Sequence, residues 1–253
     1  MSLLAAAQFL TRVPIRLRRE PAMADAVPWF PVVGACIGAA VGGTAAGLWH
    51  VVPPTVAAAV AVAVGLLITG AFHEDGLADC ADAFGGGWTI ERRLEILKDP
   101  RHGSYGVAAM CASITIRIVA LGAMPGPLAM FVAAVAAHTI GRVAAVGLMG
   151  SARVAAPTGL GADYARSLSP WRCVTGVALG LALVAVACTW WVAPLAGAGV
   201  VGAAAVGLLA YRKIGGISGD VLGACEQVVE CLAVVVVSGL AMHQSLADAV
   251  WFR

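Results

Sequence analysis

The feature that most limits this chain is a succession of apolar runs, each about as long as a bilayer is thick, separated by connections that are alternately tiny and charged. A helix needs roughly 20 predominantly apolar residues to cross the hydrocarbon core, whereas barrel strands are about half that length. Runs of the longer kind lie near 29–51, 55–72, 104–122, 127–149, 171–193, 195–210 and 225–243, the sixth being rather short. The reading is all-α: a polytopic membrane bundle of about seven transmembrane helices, within a range of six to eight, making one integral-membrane domain over 1–253. Composition agrees, since 60% of the residues are hydrophobic and only 12% are charged. Glycine, at 31 residues, lets helix backbones approach closely where lipid removes any hydrophobic drive for association.

The connections give the orientation. The turns at Pro53-Pro54, Pro125-Gly126-Pro127 and Pro194 carry no Lys or Arg. Of 16 basic residues, 13 fall in the N-terminal segment (Arg12, Arg16, Arg18, Arg19) and in three loops near 73–103, 150–172 and 211–224. The positive-inside rule places these four segments, and the N-terminus, in the cytoplasm of a bacterial inner membrane. The net charge of +2 is too small to imply nucleic acid. The seven cysteines form no CxxC pair and read as small packing residues. The short apolar run Leu3–Leu10 precedes the basic cluster, so it reads as an interfacial anchor rather than a cleavable signal.

Chemistry is expected on the cytoplasmic side, where the carboxylates concentrate. The densest group is His73-Glu74-Asp75-Gly76-Leu77-Ala78-Asp79-Cys80-Ala81-Asp82, at the end of the second run. Asp75, Asp79 and Asp82 are spaced i, i+4, i+7 and would share one helix face. Like charges so placed repel unless a cation lies among them, and hard oxygen donors suit Mg2+, with Mn2+ as a substitute. The plainer alternative, a solvated acidic helix cap, is disfavoured by the apolar residues between them.

Downstream, Lys98, Arg101 and the glycines that follow suit a phosphate-bearing substrate, while Arg92 and Arg93 read equally well as a lipid-facing basic loop. The turn Gly215-Gly216-Ile217-Ser218-Gly219-Asp220 enters a helix and offers free amides to an anion. Arg142 and Glu230 are ionisable residues inside spans, hence either functional or a structural pair, and Arg117 would pair in the same way. His138 and His50 are taken as packing or interfacial residues.

These motifs together resemble the cobalamin synthase (adenosylcobinamide-GDP ribazoletransferase) family almost end to end. Phe9-Leu10-Thr11-Arg12-Val13-Pro14 and Trp29–Gly34 are similar to its opening segments, His73–Asp82 to its H-x-D-G-x-x-D-x-x-D signature, and Lys98–Gly106 to its K-D-x-R-x-G-x-[FY]-G. Gly159-Leu160-Gly161 and Gly215–Asp220 with Gln227 and Glu230 complete the set; Ser218 stands where Thr is commoner. The resemblance implies transfer of a phosphoryl-type group. The 3′-hydroxyl of α-ribazole or its 5′-phosphate attacks the corrinoid-side phosphorus of adenosylcobinamide-GDP, and GMP leaves.

In that reading Glu74, Asp75, Asp79 and Asp82 are metal ligands, with Asp82 either joining a second metal or taking the hydroxyl proton. Lys98 and Arg101 act in catalysis by neutralising the departing GMP. His73, Asp99, Gly103, Arg142, Lys213, Gly215, Gly216, Ser218, Asp220, Gln227 and Glu230 contact substrate. The implied partners are the two substrates and the bilayer, with a homo-oligomer or association with other corrinoid-pathway enzymes also open. Two rivals stand beside it: a CDP-alcohol phosphotransferase, whose D-G-x2-A-R pattern fails at Asp79-Cys80, and a transporter, whose acidic residues would sit nearer the midplane.

Overall fold

The computed structural model describes residues 2–17, 22–155 and 168–243. Among them the chain is helical, with one isolated parallel bridge between Val154 and Ile217. The helices are α1 (Ser2–Leu10), α2 (Phe30–Leu48), α3 (Pro54–Thr69), α4 (Phe72–Gly86), α5 (Ile90–Ile96), α6 (Ser104–Gly122), α7 (Pro127–Ser151), α8 (Pro170–Cys188), α9 (Val192–Ile214) and α10 (Gly219–His243).

Five stretches are long and apolar enough to cross a membrane, and α3 with α4 makes a sixth that is bent by 89°. One of the five, Pro170–Ile214, has 45 residues. At 1.5 Å per residue it would reach about 67 Å, twice the hydrocarbon thickness. It breaks at Thr189, where φ is +47°, into α8 and α9. Both halves lie along α7: Gly180 meets Val143, while Gly199 meets Ile140 and Gly207 meets Leu148. The stretch is therefore two antiparallel crossings, which makes seven among the described residues. The sixth run, read as 195–210, is longer in the structure because α9 continues through Arg212 and Lys213 to Ile214.

Helix α7 is the axis of the bundle, buried along nearly its whole length. It packs antiparallel on α2 through Gly34, Gly38 and Gly42, which recur every four residues and so form one stripe. A Cβ on Gly38 would stand 2.6 Å from the Ala134 carbonyl oxygen and 2.7 Å from the Val135 Cα, so the backbones touch directly and only glycine fits.

The bend that matters for function is at Gly70-Ala71. Both residues are left-handed, with φ of +68° and +55°, and the Gly70 and Ala71 amides close the end of α3 onto the Leu66 carbonyl. The chain leaves at nearly a right angle, so α4 runs across the end of the bundle instead of continuing the span, which therefore stops at Thr69. Helix α1 is held at the same corner: Phe9 stacks on Phe30 (5.6 Å) and meets Phe72 edge-on (5.5 Å), and Ala5, Ala6 and Leu10 are buried. All seven cysteines are free.

Candidate active site

Laying α4 across the bundle end separates its polar residues into two sets. Asp75 and Asp79, one turn apart, face the segment that leads into α6, and there they meet His102. Its Nε2 lies 3.3 Å from Asp75 Oδ1 and its Nδ1 lies 3.5 Å from Asp79 Oδ1. One donor atom from each of the three falls within 4.8 Å of the others. Asp75 is exposed and Asp79 is mostly covered. Burial first, then the charges of Asp75 and Asp220, raise the Asp79 carboxyl to about 7. The donor set fits a divalent ion: two hard carboxylate oxygens suit Mg2+ or Mn2+, and the imidazole nitrogen is a poor partner for Mg2+.

Asp82 shares this face but has other partners. Its Oδ2 accepts from the Gly103 amide (2.6 Å) and its Oδ1 from the Gly106 amide (2.9 Å). It therefore caps the N-terminus of α6, where the amides have no intrahelical acceptor. A Cβ at Gly103 would stand 2.6 Å from Asp82 Oδ1, so the close approach depends on glycine there. Asp82, expected to hold metal or take a proton, and Gly103, expected to contact substrate, are hydrogen-bonded to each other in this structure.

His73 and Glu74 point inward, and Glu74 does not join the acidic group. Its Oε1 receives Arg117 Nη2 at 2.7 Å, and Arg117 Nη1 reaches Glu230 Oε2 at 3.3 Å. Arg142 pairs with both Glu226 and Glu230, and His138 contacts Glu230 through Nδ1. Gln227 donates to Glu226 (3.1 Å) and accepts from Ser113 (2.9 Å), while His73 Nδ1 lies 3.6 Å from Glu226. This is one buried network tying α4, α6, α7 and α10 together. Arg142, Gln227 and Glu230, read as substrate contacts, are enclosed in it, each no more than 2% exposed. His138 belongs to it as well and is not a packing residue.

The third motif makes contacts within the bundle in most of its parts. Gly215 (φ +79°) ends α9, its amide bonding to the Tyr211 carbonyl. Gly216 touches the backbone of 153–155, where Ile217 donates to Arg153 and Ala155 to Ile217. The Ser218 hydroxyl accepts from the Val221 amide and caps α10. Lys213 Nζ donates to the Phe84 carbonyl at 3.0 Å, closing the end of α4, and Arg93 donates to Gly87 and to Lys213 carbonyls.

Asp220 does approach the acidic group: its backbone lies against Gly76, where a Cβ would stand 2.8 Å from the Asp220 carbonyl oxygen. Asp99 and Arg101 bond to each other in a fork (2.9 and 2.7 Å), and Arg101 holds the Asp99 carboxyl down at about 2. Lys98 is exposed. Arg18, Arg19, Arg166 and the Gly159-Leu160-Gly161 motif lie outside the described residues.

His102 and Glu226 are the residues that the sequence reading missed. His102 had one available signal, its place inside the Lys98–Gly106 motif; Glu226 had its i, i+4 spacing with Glu230.

Fold and site together define a polytopic helical membrane protein with a polar cluster of two carboxylates and an imidazole beside a bent helix at one end of the bundle. The model of the cobalamin-5-phosphate synthase family matches residues 2–238, and the chain belongs to that family. It is 37% identical to the adenosylcobinamide-GDP ribazoletransferase of Ralstonia pickettii (strain 12J), over 91% of this chain and 92% of the relative. It is also 37% identical to the proteins of that name from Bradyrhizobium diazoefficiens (94% and 93% covered) and Chlorobaculum tepidum (90% and 91%). No solved structure matches this chain. The family match favours the transferase reading over the CDP-alcohol phosphotransferase and transporter readings.

Proposed function

We propose that this chain is a membrane-bound transferase of cobalamin biosynthesis that joins adenosylcobinamide-GDP to α-ribazole or α-ribazole 5′-phosphate, forming adenosylcobalamin or its 5′-phosphate and releasing GMP. It sits in a bacterial inner membrane with its site toward the cytoplasm, the side given by the basic loops. The observation that carries this, beside the family, is the convergence of Asp75, Asp79 and His102 at the bundle mouth. Asp75 and Asp79 would hold Mg2+, or Mn2+ in its place. When bound, the ion neutralises charge on the phosphate oxygens of the diphosphate.

The chain's own residues supply positioning and proton transfer. As the ribose 3′-oxygen bonds to the corrinoid-side phosphorus, its proton passes to the hydrogen-bonded group of Asp75, Asp79 and His102. The bond from that phosphorus to the bridging oxygen breaks, and GMP departs. Asp75 and Asp79 orient the imidazole, and Lys98 and Arg101 stand exposed on the same loop to meet the leaving phosphate. Purified protein in detergent, given both substrates and Mg2+, should yield GMP and a corrinoid with a closed nucleotide loop. Failure to form GMP from this pair, with protein shown to be folded, would sink the reading.

A further inference from the structure

Beside Asp75 and His102 lies a cleft of about 600 Å³, within the size range of small-molecule sites. It is lined by the α3–α4 corner, Thr69 to Phe72, and by the end of α1, with Gln8, Thr11 and Arg12. Arg12 is held there by its backbone. Its amide donates to the Ile68 carbonyl at 2.7 Å, and the Thr11 hydroxyl both donates to the Ala7 carbonyl (2.7 Å) and accepts from the Val13 amide (3.2 Å). The side chain then crosses Gly70: a Cβ there would stand 2.9 Å from Arg12 Cγ and 3.1 Å from Cδ. Gly70 thus provides the left-handed turn that swings α4 across the bundle and also the space through which the Arg12 stem passes. Among the described residues the guanidinium has no hydrogen bond or ion pair.

We propose that Arg12 contacts substrate, its guanidinium taking phosphate charge of the diphosphate that enters this cleft, which Asp75 also lines. The assignment rests on the transferase reading above. A cation held by Asp75 and Asp79 would neutralise only part of the charge of a diphosphate, which leaves oxygens for a further donor. A planar fork on a fixed backbone is suited to that. The same chemistry would also recognise the phosphate of a lipid headgroup, and the test separates the two.

KM for each substrate is measured for wild type, Arg12→Ala and Arg12→Lys, in detergent without phospholipid and again in nanodiscs of phosphatidylglycerol. Arg12→Ala should raise KM for adenosylcobinamide-GDP by about tenfold or more in both, the span of one lost charge-assisted hydrogen bond. KM for α-ribazole should stay within about twofold, because only one substrate has lost a contact. Arg12→Lys should fall between, retaining charge without the fork. An unchanged KM for the GDP-activated corrinoid in detergent, or an effect seen only in nanodiscs, overturns the assignment; so does an equal rise for both substrates. A wild type that releases no GMP refutes the transferase reading itself, whereas an active wild type with an unaltered Arg12→Ala variant removes Arg12 alone.

Discussion

Asp82→Asn distinguishes a helix cap from a metal ligand at the one acidic position where sequence spacing and structure part. The carboxylate accepts two amides, from Gly103 at 2.6 Å and Gly106 at 2.9 Å. Asparagine keeps one acceptor and turns a donor toward the other amide, so one bond is lost and a largely buried N–H is left without a partner. A hydrogen bond to a charged group contributes about 1.5–3 kcal/mol. The negative charge at the N-terminus of α6 adds about 0.3–1 kcal/mol. The expected loss is about 2–4 kcal/mol. Unfolding of the purified protein by SDS titration reads it, with hydrogen exchange at the amides of 103–107 showing local release. Mn2+ affinity, followed by electron paramagnetic resonance, should stay within about threefold of wild type, less than 1 kcal/mol. A variant of wild-type stability that no longer binds Mn2+ would refute the cap and restore Asp82 as a ligand.

Arg142→Met should lower stability by about 3–5 kcal/mol, because Glu226 and Glu230 would then face each other, buried, without their shared counter-ion; SDS unfolding within about 1 kcal/mol of wild type would show that the pairing contributes little. The raised Asp79 carboxyl gives a pH dependence: folded protein holds a proton there up to about 7, far above the 3.8 of the unpaired group, and a bound ion must displace it. Mn2+ affinity measured by calorimetry should therefore fall as pH drops below about 7, by up to about tenfold per unit. In Asp79→Asn that slope should vanish, and a slope that persists would assign the proton to another group.

The parts of the fold legible in sequence are those set by local spacing. Apolar runs of bilayer length mark the crossings, and i, i+4 carboxylates mark one helix face whatever the helix packs on. What the sequence hid depends on where that helix points. His102 meets Asp75 and Asp79 only because Gly70 and Ala71 turn α4 through 89° and lay it against the approach to α6. Charge pairing inside the bundle was foreseeable in kind, since Arg117, Arg142 and Glu230 cannot face lipid alone. Its connectivity was not, because three carboxylates and two guanidinia allow several pairings until helix positions choose one. Glycine is ambiguous for a related reason: Gly215 and Gly216 suit an amide cradle for an anion as well as the helix end packed on a neighbouring backbone that the structure shows.

GMP release by Asp75→Asn and Asp79→Asn, assayed in detergent with both substrates and saturating Mg2+, bears most directly on the central claim. The account predicts that each variant loses activity by about 100-fold or more while unfolding at the wild-type SDS concentration, as expected where a group that holds charge in the transition state is removed. Turnover near the wild-type rate from either variant would contradict it and place the chemistry elsewhere on the bundle.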